Sequence, residues 1–189
     1  MEMLDEPVIT RHRLTVEKYY QMAEAGVFEP NARVELIDGE VIDRAPIGTK
    51  HYGTVFRLNR LLVQAVGDLA VVLVQSPVRL GRWNEPEPDL ALLKPRADDY
   101  TTVLATPADT FLVIEVADSS RAYDLRTKAR LYAAHGIPAY WVFDLVSGSL
   151  HAHSEAHPDG YRRVDELQDL GPTPIPGLLG ATVDLSGVL

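Results

Sequence analysis

The sequence predicts an α/β domain built on a mixed central sheet flanked by helices, with an N-terminal β-hairpin. Three observations carry this. FLVIEV at 111–116 and AYWVFDL at 139–145 are apolar almost throughout, as strands covered on both faces are. Between them YDLRTKARLYAAHG, 123–136, has helical patterning, so the three form a βαβ crossover with its strands parallel. Upstream, RVELIDGEVIDRAP at 33–46 alternates about Asp38-Gly39, a strong short-range hairpin signal that adds antiparallel strands.

The remaining elements follow in order. TVEKYYQMAEAG, 15–26, reads as a short helix with Thr15 as N-cap and Gly26 as stop. Thr49 is placed to cap the next helix, TKHYGTVFRLNRLLVQAVG, 49–67. Its Val55, Leu58, Leu62 and Val66 recur at helical spacing, and Arg57, Arg60 and Gln64 lie on the other face. AVVLVQSPVRL, 70–80, reads as one or two strands broken at Pro77, and PDLALLK, 88–94, as another. FLVIEV is then the central strand, and the helix after it stops at Gly136 and Pro138. The tail, with SGSLHAH, GYRRV and TVDL, reads as short strands between turns. No internal repeat, low-complexity run or long linker divides the chain, which predicts one domain over residues 1–189.

Composition narrows the function classes. Cysteine is absent, so the fold uses no disulfide and no thiolate metal site. MEMLDEPVITRHRL at the N-terminus lacks a basic stretch followed by an apolar one, and no window reaches the length of about 20 apolar residues that a span needs. The expectation is a soluble cytoplasmic protein. A formal net charge of −9 argues against nonspecific coating of nucleic acid, so contact with it must rest on a local patch. Ser119 and Ser120 lack the glycine-flanked elbow of a serine hydrolase, and there is no glycine-rich phosphate loop. HAHSEAH, 151–157, has a spacing that could bind zinc, but is read as a solvated hairpin.

One residue breaks the pattern. Glu115 interrupts the apolar central strand, and an unpaired carboxylate there would cost several kcal/mol. It lies near the carboxyl end of its strand, where open α/β sheets build their sites, and Asp89 starts PDLALL after Pro88. Two carboxylates converging from neighbouring strands need a divalent cation or a shared proton. Magnesium suits such a pair, because it takes oxygen ligands and leaves room for waters and phosphate oxygens. Plainer alternatives are a turn role for Asp89 and an ion pair with an arginine for Glu115. Lys128, in the following helix, shares a face with Leu125 and Tyr132 and can return its ammonium to the carboxylates. Equally, it could pair with Asp124 on a solvated surface.

These segments resemble a known family. ELIDGEVI at 35–42, His51, PDLALL at 88–93, VIEVADSSRAYDLRTKARLY at 113–132, GIPAYWVFDL at 136–145 and the closing IPGLLGATVDL are similar to the successive motifs of the Uma-two family. That family belongs to the restriction-endonuclease-like PD-(D/E)xK nuclease superfamily. The resemblance implies a restriction-endonuclease-like core and a Mg2+- or Mn2+-dependent endonuclease acting on DNA. Its metal ligands would be Asp89 and Glu115, with Lys128 and Glu35 as further catalytic residues. The superfamily's lysine two places after the glutamate is Ala117 here, and Lys128 matches the place in the next helix where similar sequences carry one. His51 also matches a family position, and is the first of several substrate-binding candidates that include Arg57, Arg121 and Arg126, with Arg60, Arg79 and Arg82 beside them. The acidic charge and Ala117 support the alternative, an inactive nuclease fold serving as a DNA- or protein-binding scaffold. A homodimer is expected for a nuclease that cuts both strands, with Ile175, Leu178 and Leu179 available to its contact or to the chain's own core.

Overall fold

A computed structural model describes residues 10–189; residues 1–9, where the N-terminal sequence was read as lacking a leader, lie outside it. Six strands form one sheet in the order β3 (Val71–Val74), β4 (Leu90–Leu93), β5 (Thr110–Ala117), β6 (Ala139–Asp144), β7 (Ser149–His157) and β8 (Gly160–Leu167). Only β5 and β6 pair in parallel, Glu115 standing opposite Val142. The mixed sheet and the crossover are therefore as the sequence predicts, with β5 central.

The pleat decides what each strand residue meets. On one face Leu90, Leu92, Leu112, Ile114, Val116, Trp141 and Phe143 pack under Val55, Leu58 and Leu62 of α2 (Thr49–Val66). On the other, Ala91, Leu93, Val113, Ala117, Tyr140 and Val142 meet Leu131 and Tyr132 of α3 (Ala129–Ala134) and Ile37 of β1 (Val34–Ile37). By alternation Glu115 shares the second face with Val113 and Ala117.

The hairpin of β1 and β2 (Glu40–Asp43) lies over that second face. Asp38 and Gly39 both take positive φ, 51° and 77°, as a two-residue hairpin turn requires. A side chain at Gly39 would come within 2.7 Å of Arg13 Cβ, so only glycine fits this approach. Gly39 N–H donates to Trp83 O at 2.8 Å, and Leu36 forms a bridge with Glu85. These contacts anchor the strand that carries Glu35. Before it, α1 (Val16–Glu24) is capped by Thr15 Oγ1, which accepts from Lys18 N at 3.3 Å.

Several expectations are corrected. The cap of α2 is Gly48, and Thr49 is the first helical residue. No strand follows Pro77, because Val78, Arg79 and Leu80 donate to Pro86, Ala105 and Asn84 rather than to a ladder. The helix after β5 begins as a π-helix, Tyr123–Lys128, before continuing as α3. Strand β9 (Pro172–Pro174), unforeseen, pairs with β10 (Thr182–Asp184). Ile175 and Leu178 are buried in the core under α2, whereas Leu179 is fully exposed. His153 is not solvated: it is buried between the rings of Tyr140 and Tyr161. No helix among the described residues is long and apolar enough to cross a membrane.

Candidate active site

Five of the residues singled out in the sequence converge on one cavity of about 250 Å³, between the hairpin, the start of α2 and the turn after β5. Glu35, His51, Asp89, Glu115 and Lys128 all line it. Glu115, 2% exposed, arrives from β5; Asp89 stands immediately before β4, beside it. Asp89 N–H donates to Glu115 Oε2 at 3.2 Å, and Val116 N–H donates to Asp89 Oδ2 at 2.9 Å. The two strands thus lock both carboxyl groups through each other's backbone.

Lys128 answers the question of what holds Glu115. It is 3% exposed, and its Nζ lies 2.8 Å from Glu115 Oε1 and 3.1 Å from Glu35 Oε2. Tyr132 O–H donates to the same Glu115 oxygen at 3.2 Å. The surface pair with Asp124 is not formed: Asp124 is itself buried and accepts from Ser120 Oγ at 2.5 Å. In a π-turn the hydrogen bond spans five residues, so Asp124 and Lys128, four apart, both turn inward. Such turns cluster at functional sites.

The electrostatics are those of carboxylates crowded out of water. Burial pushes the Glu115 carboxyl up to about 8; Lys128 pulls against this, while Asp89, Asp124 and Glu35 add to it. Burial likewise raises Asp124 to about 6. For Lys128 burial works against the charge, but Glu115, Glu35 and Asp124 outweigh it and hold the ammonium well above its ordinary range. Asp89 goes the other way: burial raises it, yet the hydrogen bond and charge of His51, the Val116 N–H and Arg44 bring it below the usual carboxylate value. His51 Nε2 lies 2.9 Å from Asp89 Oδ2.

Asp89 Oδ1 is buried and lacks any hydrogen-bond partner. A buried acceptor left open at a cavity wall suits a cation, and hard carboxylate oxygens suit Mg2+ or Mn2+. Among the described residues no three acidic or histidine side chains gather into a complete metal shell, so further ligands would be waters and phosphate oxygens, as is usual for magnesium.

The arginines are placed differently. Arg57 donates to Gly187 O, away from the cavity, and Arg126 and Arg60 are exposed on the surface. Arg121 Nε is held by Asp144 Oδ2 at 2.5 Å. Arg79 pairs with Glu85, and Arg82 covers the Trp83 ring. Sequence reasoning missed Arg44, which lines the cavity and pairs with Glu87, because nothing marks an arginine that follows a hairpin strand. It also missed Asp124 as an inward group, although the Asp124, Lys128 and Tyr132 spacing was visible.

Residues 16–186 match the family model of Uma2, described as "Putative restriction endonuclease". The fold is similar to a crystal structure of a "putative nuclease belonging to DUF820" from Anabaena variabilis, with a TM-score of 0.68 and 15% identity. The match covers 86% of this chain and 89% of that one. Among curated proteins nothing matches.

Proposed function

This chain belongs to the Uma2 family, and on that premise we propose that it is a Mg2+- or Mn2+-dependent endonuclease hydrolysing phosphodiester bonds of DNA. One observation supports this most: Glu35 and Glu115 from two strands, Asp89 from just before a third and Lys128 from a helical segment share one cavity, and Asp89 Oδ1 there has no hydrogen bond. A fold without a site to serve has little reason to keep four such groups together, since their burial costs stability.

In this reading Asp89 and Glu115 would hold the cation. Bound there, it would lower the pKa of a water and neutralise charge building on the phosphate. Lys128 brings a fixed ammonium to the edge of the same carboxylates, where it orients the attacking water or steadies the phosphate oxygens. Glu35 anchors Lys128 from the opposite side, and the Glu87 N–H and Tyr123 O–H hold Glu35 at 3.1 and 3.4 Å. Tyr132 fixes the Glu115 oxygen that Lys128 shares. His51 keeps Asp89 ionised and, with the Val116 N–H, engages Oδ2, so that Oδ1 takes no hydrogen bond.

The scaffold alternative has its own support: Lys128 and Tyr132 already satisfy Glu115 Oε1, and the Asp89 N–H its Oε2. Lys128→Ala separates the two. A catalytic Lys128 predicts a loss of turnover on the order of a hundredfold or more, with DNA affinity changed far less. Lys128→Arg stays largely inactive, because a planar fork replaces a compact ammonium. Single-turnover cleavage reads both. Cleavage by Lys128→Ala at the wild-type rate removes Lys128 from the chemistry.

A further inference from the structure

Arg44 follows β2 and reaches into the cavity with its side chain only 9% exposed. One guanidinium nitrogen pairs with Glu87; the other, Nη2, stands 3.6 Å from Asp89 Oδ1, the oxygen that has no hydrogen bond. Of the other arginine and lysine side chains on the cavity wall, Lys128 holds Glu35 and Glu115, and Arg33 Nη1 donates to Ala45 O at 2.8 Å, with no contact to Asp89. A guanidinium has five N–H donors in a fixed fork, and most of those on Arg44 are unspent.

A divalent cation binding Asp89 needs the oxygen that Arg44 approaches. Magnesium demands close contact, about 2.0–2.1 Å, with each ligand oxygen. Two positive groups cannot share that place, so the guanidinium must leave as the metal arrives. What a planar guanidinium then matches best at such a site is the paired oxygens of a phosphate. We propose that Arg44 is the ligand for the substrate phosphate in this site, stored on Asp89 and Glu87 in the metal-free protein and released to the phosphodiester by metal loading. This rests on the endonuclease reading for its substrate, but its metal competition stands on the side-chain geometry alone. The plainer role, a staple tying the hairpin to the Glu87 loop, predicts lost stability and no effect on metal.

Calorimetry tests it with two probes, Mn2+ alone and a phosphorothioate-backboned DNA duplex that resists hydrolysis, the latter titrated into Mn2+-loaded protein. Arg44→Ala should bind Mn2+ about tenfold tighter, since a like charge at the metal oxygen is gone. The same variant should bind the duplex about tenfold more weakly or worse. Arg44→Met keeps most of the packed stem and should show the same opposed pair of changes if the alanine variant does not fold. Arg44→Lys should restore the competition with metal but only part of the duplex affinity. Unchanged or weakened Mn2+ binding in Arg44→Ala and Arg44→Met overturns the proposal, as does unchanged duplex affinity. Opposed changes in the variants, with a wild type that cleaves no DNA, overturn the endonuclease reading and leave Arg44 in place. Cleavage by wild type with Arg44 variants unaltered in both titrations overturns the Arg44 assignment alone, and a wild type that binds neither probe overturns both.

Discussion

Replacing Lys128 with methionine keeps much of the side-chain volume and removes the ammonium in contact with Glu115 and Glu35. Breaking a buried pair by deleting one partner costs about 3–5 kcal/mol, because the other charge is stranded. Here part of that cost is avoidable. Glu115 is pushed up to about 8 even with Lys128 in place, so at pH 7 its carboxyl holds a proton with or without Lys128 and keeps its bonds from Tyr132 and the Asp89 N–H. Glu35 loses Lys128 but keeps the Glu87 N–H and Tyr123 O–H. One charge is stranded rather than two, which puts the loss near the lower end, about 3 kcal/mol at pH 7. Urea denaturation in EDTA measures it by linear extrapolation. The loss should grow at pH 9, above the value of about 8 to which Glu115 is pushed, because there the wild-type carboxylate is held by Lys128 and the variant has nothing in its place, and it should shrink in saturating Mn2+. A loss under about 1 kcal/mol at pH 7, typical of an exposed pair, or one of equal size at both pH values, would refute the burial argument.

Other outcomes follow from particular groups. Burial lowers His153 to about 4, from an ordinary value of 6.5, with the neighbouring His151 adding to the effect. A depressed base contributes stability that is present above about pH 6.5 and lost as pH falls through 4, a change of about 3 kcal/mol for a gap of this size. His153→Phe should flatten that part of the stability-versus-pH curve, measured by thermal melts from pH 7 to 4, whereas a parallel fall in both proteins would show that His153 does not titrate there. A homodimer is proposed for a double-strand cut, with Ile175 and Leu178 now excluded from its contact by their burial. Light scattering at micromolar concentration should give twice the chain mass, and a monomer would sink the idea.

The site was legible in the sequence where a residue contradicts its surroundings. Glu115 stands in an apolar strand, and that mismatch announces a partner whatever the partner is. The sheet was legible because β5 and β6 are buried on both faces and read as continuous apolar runs. What stayed hidden depends on contacts distant in sequence. Glu35 meets Lys128 across the hairpin and the sheet, a distance periodicity does not cover. The π-turn that brings Asp124 inward leaves no mark, since the same letters suit an ordinary helix. Arg44 looks like any exposed arginine after a strand until the cavity closes around it. His153 reads as a wet residue from its own strand, because its aromatic cover, Tyr140 and Tyr161, comes from two other strands.

Metal-dependent cleavage tests the central claim most directly. Wild type and Glu115→Ala are incubated with Mg2+, with Mn2+ and with EDTA, on supercoiled, linear and mismatched or branched DNA. Glu115 joins Asp89 to Lys128, so its removal should abolish cleavage while the fold persists by circular dichroism. Wild type should cut at least one form with metal, and EDTA and Glu115→Ala should each stop it. Cleavage by Glu115→Ala at the wild-type rate, or a folded wild type inert on every form with either metal, would contradict it.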